Sequence, residues 1–220
     1  MDSDTILKGA LLIGPLMVAV VFHEVAHGWV ARFFGDPTAA QLNRLSFNPI
    51  RHIDPLGTII LPMGLALSGL PVFGWAKPVP VTQSRLRNPR FDMIWVALAG
   101  PGMNLLLATV GAIALGLFSS MGLPPVVLAV AFMFISVNLF LALFNLIPIP
   151  PFDGSKVLGG LLPPALGEKI AQLDRYGFLI FAALILVVPR LLGFDVVDKV
   201  IGPPFEALQA FYLRIAAMVA

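Results

Sequence analysis

The chain has 220 residues, of which 58% are hydrophobic and only 12% are charged, and its formal net charge is +2. A soluble domain carries about 25% charged residues, so this composition excludes an ordinary soluble protein and predicts a polytopic membrane protein. The absence of cysteine excludes disulfide bonds and thiolate metal ligands. The length allows one integral membrane domain over residues 1–220, and the few basic residues flank apolar spans, so we expect no nucleic-acid partner.

The first predicted span, residues 6–34, places three ionisable groups in an apolar run, in the stretch His23-Glu24-Val25-Ala26-His27. On a helix, His23 and His27 lie one turn apart on one face, where both rings can bind one metal ion. Glu24 lies about 100° around the helix, within reach of a water molecule beside that metal. A carboxylate at membrane depth costs roughly 2.5–3.5 kcal/mol and needs a partner or a function. A metal site therefore explains the motif better than buried hydrogen bonds do.

Residues 35–90 form a loop-rich insertion whose apolar part, residues 57–75, is interrupted by glycine and proline. Hydropathy alone leaves open whether residues 57–75 cross the membrane, enter and return, or form strands. Basic residues lie on both sides of this stretch, at Arg32, Arg44 and Arg51 before it and at Lys77, Arg85, Arg87 and Arg90 after it. The positive-inside rule favours one side for all of them, so we predict a cytoplasmic, partly membrane-embedded insertion.

Four further segments are predicted: a span at residues 91–118, a span with the motif that follows it at residues 126–154, a span at residues 176–192, and a C-terminal helix at residues 205–219 that lies at the interface or packs on the bundle. The span at 91–118 carries Asn104 in a row of small residues, where it either joins helices or faces a cavity. Two crossings separate the histidines from the end of the segment at 126–154. The two sites therefore lie on the same side of the membrane, predicted to be cytoplasmic, with the N-terminus outside.

The segment at 126–154 ends in Asn145-Leu146-Ile147-Pro148-Ile149-Pro150-Pro151-Phe152-Asp153-Gly154. Its prolines cannot continue a helix, so this piece must be extended. Asp153 either caps the following helix or serves as a third metal ligand, and the histidine motif favours the ligand.

These residues resemble the site-2 protease family of intramembrane metalloproteases in three motifs: His23-Glu24-Val25-Ala26-His27, Ala99-Gly100-Pro101-Gly102-Met103-Asn104, and the stretch from Asn145 to Gly154. The resemblance implies an all-α polytopic membrane protein with a three-helix catalytic core and one or two further C-terminal helices. It also implies one Zn²⁺ per chain, held by His23, His27 and Asp153.

Further expectations about substrate follow from the same resemblance. It implies a small membrane-dipping β insertion between the first two core helices, and Val79 and Val81 are placed to form its substrate-binding edge. Asn145 matches a family position that holds the unwound substrate. We also count Asn104 among the candidate substrate contacts.

The predicted activity is hydrolysis of a peptide bond within or near the transmembrane segment of a membrane-protein substrate, with Glu24 as general base. The expected location is the lipid bilayer of a prokaryotic plasma membrane, and a homo-oligomer is left open. Two alternatives also remain open: a metal-ion transporter or channel using the same side chains, and a proteolytically silent membrane chaperone. His52 is expected to hydrogen-bond within its loop rather than bind metal or act as a gate.

Overall fold

The computed structural model describes residues 3–68, 74–194 and 196–220, with side chains from residue 11 onward except in residue 196. Its helices are α1 (Ser3–Phe33), α2 (Thr38–Gln41), α3 (Leu61–Leu67), α4 (Pro89–Ser120), α5 (Pro125–Asn145), α6 (Asp153–Leu161), α7 (Pro164–Leu173), α8 (Gly177–Ala182), α9 (Val188–Leu192) and α10 (Val196–Val219). Helices α4, α5 and α7 each begin at a proline, which suits a first turn because its N–H would have no helical partner there.

In the described part of the chain, four helical stretches are long and apolar enough to cross a membrane: Leu11–Phe33, Pro89–Ser120, Pro125–Asn145 and Pro164–Leu192. The last comprises α7, α8 and α9 with the short helical turns that join them. The chain is thus a polytopic membrane protein, as the composition predicts, and in the described residues it is all-α, as the resemblance implies. The fourth stretch begins earlier than the predicted span at residues 176–192.

The bundle is held together where α4, α5 and α10 meet. Its core contains Ala108 and Ala112 of α4, Ile135 and Leu139 of α5, and Tyr212 of α10. The alanines on α4 let the larger side chains of its neighbours approach closely, because small residues are what allow membrane helices to pack. The C-terminal helix therefore packs on the bundle, which decides between the two predicted locations.

Within the described residues, the apolar part of the insertion has no helix long enough to cross a membrane. Its helical segment, Pro55–Leu67, has 13 residues, and at 1.5 Å per residue it is about 20 Å long, short of the roughly 30 Å hydrocarbon core. Beyond it the chain comes back to its starting point, because the Trp75 N–H donates to Gly57 O at 3.1 Å and the Thr58 hydroxyl donates to Trp75 O at 2.9 Å. Residues 69–73, part of the stretch in question, lie outside the described residues.

The prediction of a β-structured insertion is not supported, since no strand occurs among the residues that the structure describes. Two backbone donors of the predicted edge are bound by side chains. The Val79 N–H donates to Glu24 Oε2 at 2.7 Å and the Thr82 N–H donates to Asp36 Oδ2 at 2.6 Å. Pro78 and Pro80 have no N–H to offer a neighbouring strand.

Candidate metal site

Helix α1 places His23 and His27 one turn apart, as the spacing predicts, and both side chains are buried. Their Nε2 atoms lie 3.0 Å apart and point to the same place. Two imidazole nitrogens so close together are suited to share one cation.

Asp153 completes the group from the start of α6. Its Oδ2 lies 3.2 Å from Nε2 of both histidines, although His23 and Asp153 are 130 residues apart in the chain. Phe152, rather than Asp153, is the N-cap residue, and no side chain caps α6. The carboxylate is therefore directed to the histidines and does not cap the helix.

The spacing of these three atoms fits a tetrahedral metal ion. Zinc bonds to nitrogen and oxygen are about 2.0 Å long, which puts neighbouring ligand atoms of a tetrahedron about 3.3 Å apart. The distances of 3.0, 3.2 and 3.2 Å come close to that value. Among the described residues this is the one group of His, Cys, Asp or Glu side chains able to hold a metal ion. Three protein ligands leave the fourth position for water or substrate.

Hydrogen bonds behind the histidines determine which nitrogen faces the site. His27 Nδ1 lies 2.6 Å from the backbone carbonyl of Val96, which can only accept, so Nδ1 carries the proton. His23 Nδ1 lies 2.6 Å from Asn104 Oδ1. With a proton on each Nδ1, both Nε2 atoms keep a lone pair for the metal.

Gly100 of α4 forms one wall of the site. A Cβ atom added there would lie 2.5 Å from Nε2 of both His23 and His27, closer than real Cβ contacts. Glycine therefore allows α4 to approach the histidines while leaving their metal-facing atoms free.

Lys156 lies beside the outer oxygen of Asp153, with 3.4 Å between its Nζ and Oδ1. An ammonium group this close to a carboxyl group favours its charged form. The group is therefore a carboxylate, the form that binds metal.

Glu24 is half-buried and turns toward the insertion. The segment that Glu24 contacts, residues 77–82, is held by hydrogen bonds at both ends. At one end the Lys77 N–H donates to His52 O and Arg44 donates to Lys77 O, both at 2.8 Å; at the other end Thr82 is held by Asp36. Between these anchors, the Val79 N–H meets the Glu24 carboxylate.

Three further predicted residues, Asn145, Val81 and His52, contact other parts of the chain. Asn145 ends α5 and its Nδ2 donates to Leu141 O at 3.0 Å. Val81 packs against the cluster that contains Ala31 and Val96. His52 lies 2.7 Å from Ser46 O through Nε2, so it hydrogen-bonds within its loop, as expected.

Asn104 is fully buried beside His23, and a second buried amide, Asn138, lies next to it. Sequence reasoning missed Asn138. Asn138 could have been found in the same way as the histidine motif, because a polar side chain in the middle of an apolar span requires a hydrogen-bonding partner.

Comparisons with known proteins agree on one family. The model of peptidase family M50 matches residues 123–188. The chain is 40% identical over 182 residues to "Putative zinc metalloprotease YwhC" of Bacillus subtilis, which covers 79% of this chain and 78% of the relative. It is 31% identical over 186 residues to "Putative zinc metalloprotease Rip2" of Mycolicibacterium smegmatis, with 82% and 68% covered. No solved structure matches the chain.

Proposed function

The chain belongs to peptidase family M50, and on this basis we propose that it is an intramembrane zinc metalloprotease that hydrolyses a peptide bond within or near the transmembrane segment of a membrane protein. The observation that carries the proposal is the triangle of His23, His27 and Asp153 ligand atoms, with Glu24 beside it on the same membrane-spanning helix. A metal-binding group with a neighbouring carboxylate is what hydrolysis by a metalloprotease requires.

In this mechanism Nε2 of both histidines and Asp153 Oδ2 would hold the zinc ion, which would supply a Lewis acid for the water and the scissile carbonyl. Glu24 accepts a proton from the attacking water as the new C–O bond forms. Glu24 then passes that proton to the leaving amine as the C–N bond breaks. The products are a carboxylic acid and an amine, so the atoms of peptide and water balance.

The segment at residues 77–82 is suited to hold substrate in an extended form. A transmembrane helix must unwind before its carbonyls can be attacked, and the freed backbone groups then need partners. The residues preceding Pro78 and Pro80 are restricted to extended conformations, and in an extended chain Val79 and Val81 face the same way. Because the Val79 N–H faces Glu24, we propose that substrate lies along this side, and that Asn145 contacts it from the end of α5.

The site is proposed to lie near the cytoplasmic side of a prokaryotic plasma membrane, with the N-terminus outside. The basic residues of the insertion support this orientation. Two candidate spans separate the histidines from Asp153, and the return of the chain at Trp75 to Gly57 adds no crossing. An even number of crossings is what allows His27 and Asp153 to meet.

The proposal is tested with purified protein in detergent and a single-span model substrate. Glu24→Gln should abolish cleavage and leave bound zinc unchanged, because the base lies outside the ligand set. Glu206→Gln, an exposed glutamate on α10, is the matched control and should behave like the wild-type protein. Zinc binding without cleavage of several substrates by the wild-type protein would contradict the proposal, and metal flux in proteoliposomes would then indicate a transporter.

A further inference from the structure

We propose that the buried amides of Asn104 and Asn138 are positioning residues that select the metal-binding tautomer of His23. The inference rests on the proposed zinc site but goes beyond its ligands. Both asparagines are fully buried, and they connect the three helices α1, α4 and α5 behind the site.

The orientation of Asn138 follows from a backbone carbonyl. Its Nδ2 lies 2.8 Å from Phe134 O, which can only accept a hydrogen bond. The NH₂ group must therefore face Phe134, and Oδ1 faces Asn104. Asn138 thus presents an acceptor toward α4.

Asn104 is oriented by two acceptors at once. Its Nδ2 donates to Asn138 Oδ1 at 2.9 Å and to Ala19 O at 3.2 Å. Both NH₂ protons are then used, which leaves Oδ1 to face His23. A flipped amide would place its oxygen against two other oxygens and leave buried groups unpaired, at a cost of about 1–3 kcal/mol for each.

The orientation of Asn104 determines which nitrogen of His23 carries the proton. Because Asn104 Oδ1 can only accept, its 2.6 Å contact requires a proton on His23 Nδ1. A neutral imidazole has one N–H, so Nε2 is left with its lone pair toward His27 and Asp153. Without the asparagines the ring could carry its proton on Nε2, and that tautomer cannot bind the metal.

The first test compares zinc affinity, measured by chelator competition, in Asn104→Leu, Asn138→Leu and the wild-type protein. Loss of a hydrogen-bonding partner behind a metal ligand typically weakens binding 10- to 100-fold. We expect Asn104→Leu to lie in that range and Asn138→Leu near its lower end, because Ala19 still holds Asn104. Ser136→Ala is the matched control, since Ser136 also lies on α5 and accepts an interhelical hydrogen bond, from Gln209, away from the site.

The second test needs no variant. In the zinc-free wild-type protein, labelled with ¹⁵N-histidine and with asparagine carrying ¹³C at Cγ, the ring beside an asparagine should show a protonated, exchange-protected Nδ1 and an unprotonated Nε2. This result supports the proposal even if a leucine variant fails to fold. An unprotonated Nδ1 on His23 would overturn it.

Wild-type zinc affinity in either folded leucine variant would also overturn the proposal and leave the asparagines as interhelical contacts only. Weakened affinity with an unchanged Ser136→Ala control supports it. Both readouts are independent of cleavage, so a wild-type protein that binds zinc but hydrolyses nothing would refute the proposed protease activity and leave this inference standing.

Discussion

Replacing Gly100 with alanine should disable the metal site while leaving the fold in place. The added Cβ would lie 2.5 Å from the Nε2 atoms of His23 and His27, whereas ordinary contact begins at 3.4 Å, so the shortfall is about 0.9 Å. Relief requires that the rings rotate or that α1 and α4 move apart. A displacement of about 1 Å in reacting groups costs roughly 100-fold in rate, and we expect a loss of at least that size in cleavage.

Gly102 provides the matched control two residues away on the same helix. A Cβ added there meets nothing within 4 Å, so Gly102→Ala should bind zinc normally and gain about 0.5–1 kcal/mol from the helix preference of alanine. Gly100→Ala has the same gain in helix preference, but overpacking destabilises that variant by about 1–3 kcal/mol.

The assay measures zinc affinity, cleavage of the single-span substrate and thermal unfolding of the metal-free protein in parallel. Site-specific damage should appear as lost zinc and lost cleavage with a modest change in unfolding temperature. Wild-type zinc binding and cleavage by Gly100→Ala would refute the reasoning, as would equal damage from Gly102→Ala.

Three further outcomes are expected. Gly154→Ala should destabilise the protein and weaken zinc binding, because its Cβ would lie 2.2 Å from Leu146 O. Gly159→Ala on the same helix, whose Cβ would lie 3.7 Å from its nearest neighbour, should do neither. Equal zinc affinities of the two variants would contradict this expectation. Burial raises the pKa of Asp36, but hydrogen bonds from Thr38 and Thr82 outweigh it and hold the pKa below its ordinary value. The stability that Asp36 adds relative to Asp36→Asn should therefore be complete above about pH 4 and fall as the pH drops through the folded-state pKa. Thermal unfolding of both proteins at several pH values measures this difference in stability. A difference that stays constant down to about pH 2 would contradict the expectation. Zinc at 100 times its Kd should stabilise the wild-type protein by about 2.7 kcal/mol, and a chelator should reverse the effect, so an unfolding temperature that does not respond to zinc would argue against a native metal site.

Local patterns in the sequence were enough to predict the main architecture. The run of apolar residues and the spacing of His23 and His27 specify one long helix with both rings on one face, since helical geometry depends only on position along the chain. Charge distribution also predicts that the insertion does not cross the membrane. The start of α10 was placed too late, at residue 205, before which the sequence has Pro203 and Pro204. The helix instead runs through them from Val196, and buried Ile201 packs against Ile147 and Phe152.

Contacts between distant parts of the chain could not be predicted from the sequence. A β edge forms only if its backbone N–H groups pair with a neighbouring strand. Here the N–H groups of Val79 and Thr82 donate to the carboxylates of Glu24 and Asp36, which are more than 40 residues away in the chain. The positions of Gly100 and Asn138 at the site depend on how α4 and α5 are rotated about their own axes. Periodicity shows which residues share a face, but the partner of that face is determined by packing in three dimensions.

The 130-residue separation of His23 and Asp153 has a consequence for biosynthesis. While the chain is being made, α1 enters the membrane long before Asp153 is synthesised. The growing polypeptide then has two of three ligands, and the wall supplied by α4 is still missing. A metal site assembled in this way is incomplete during synthesis, and all three side chains meet only after Asp153 has folded back against α1.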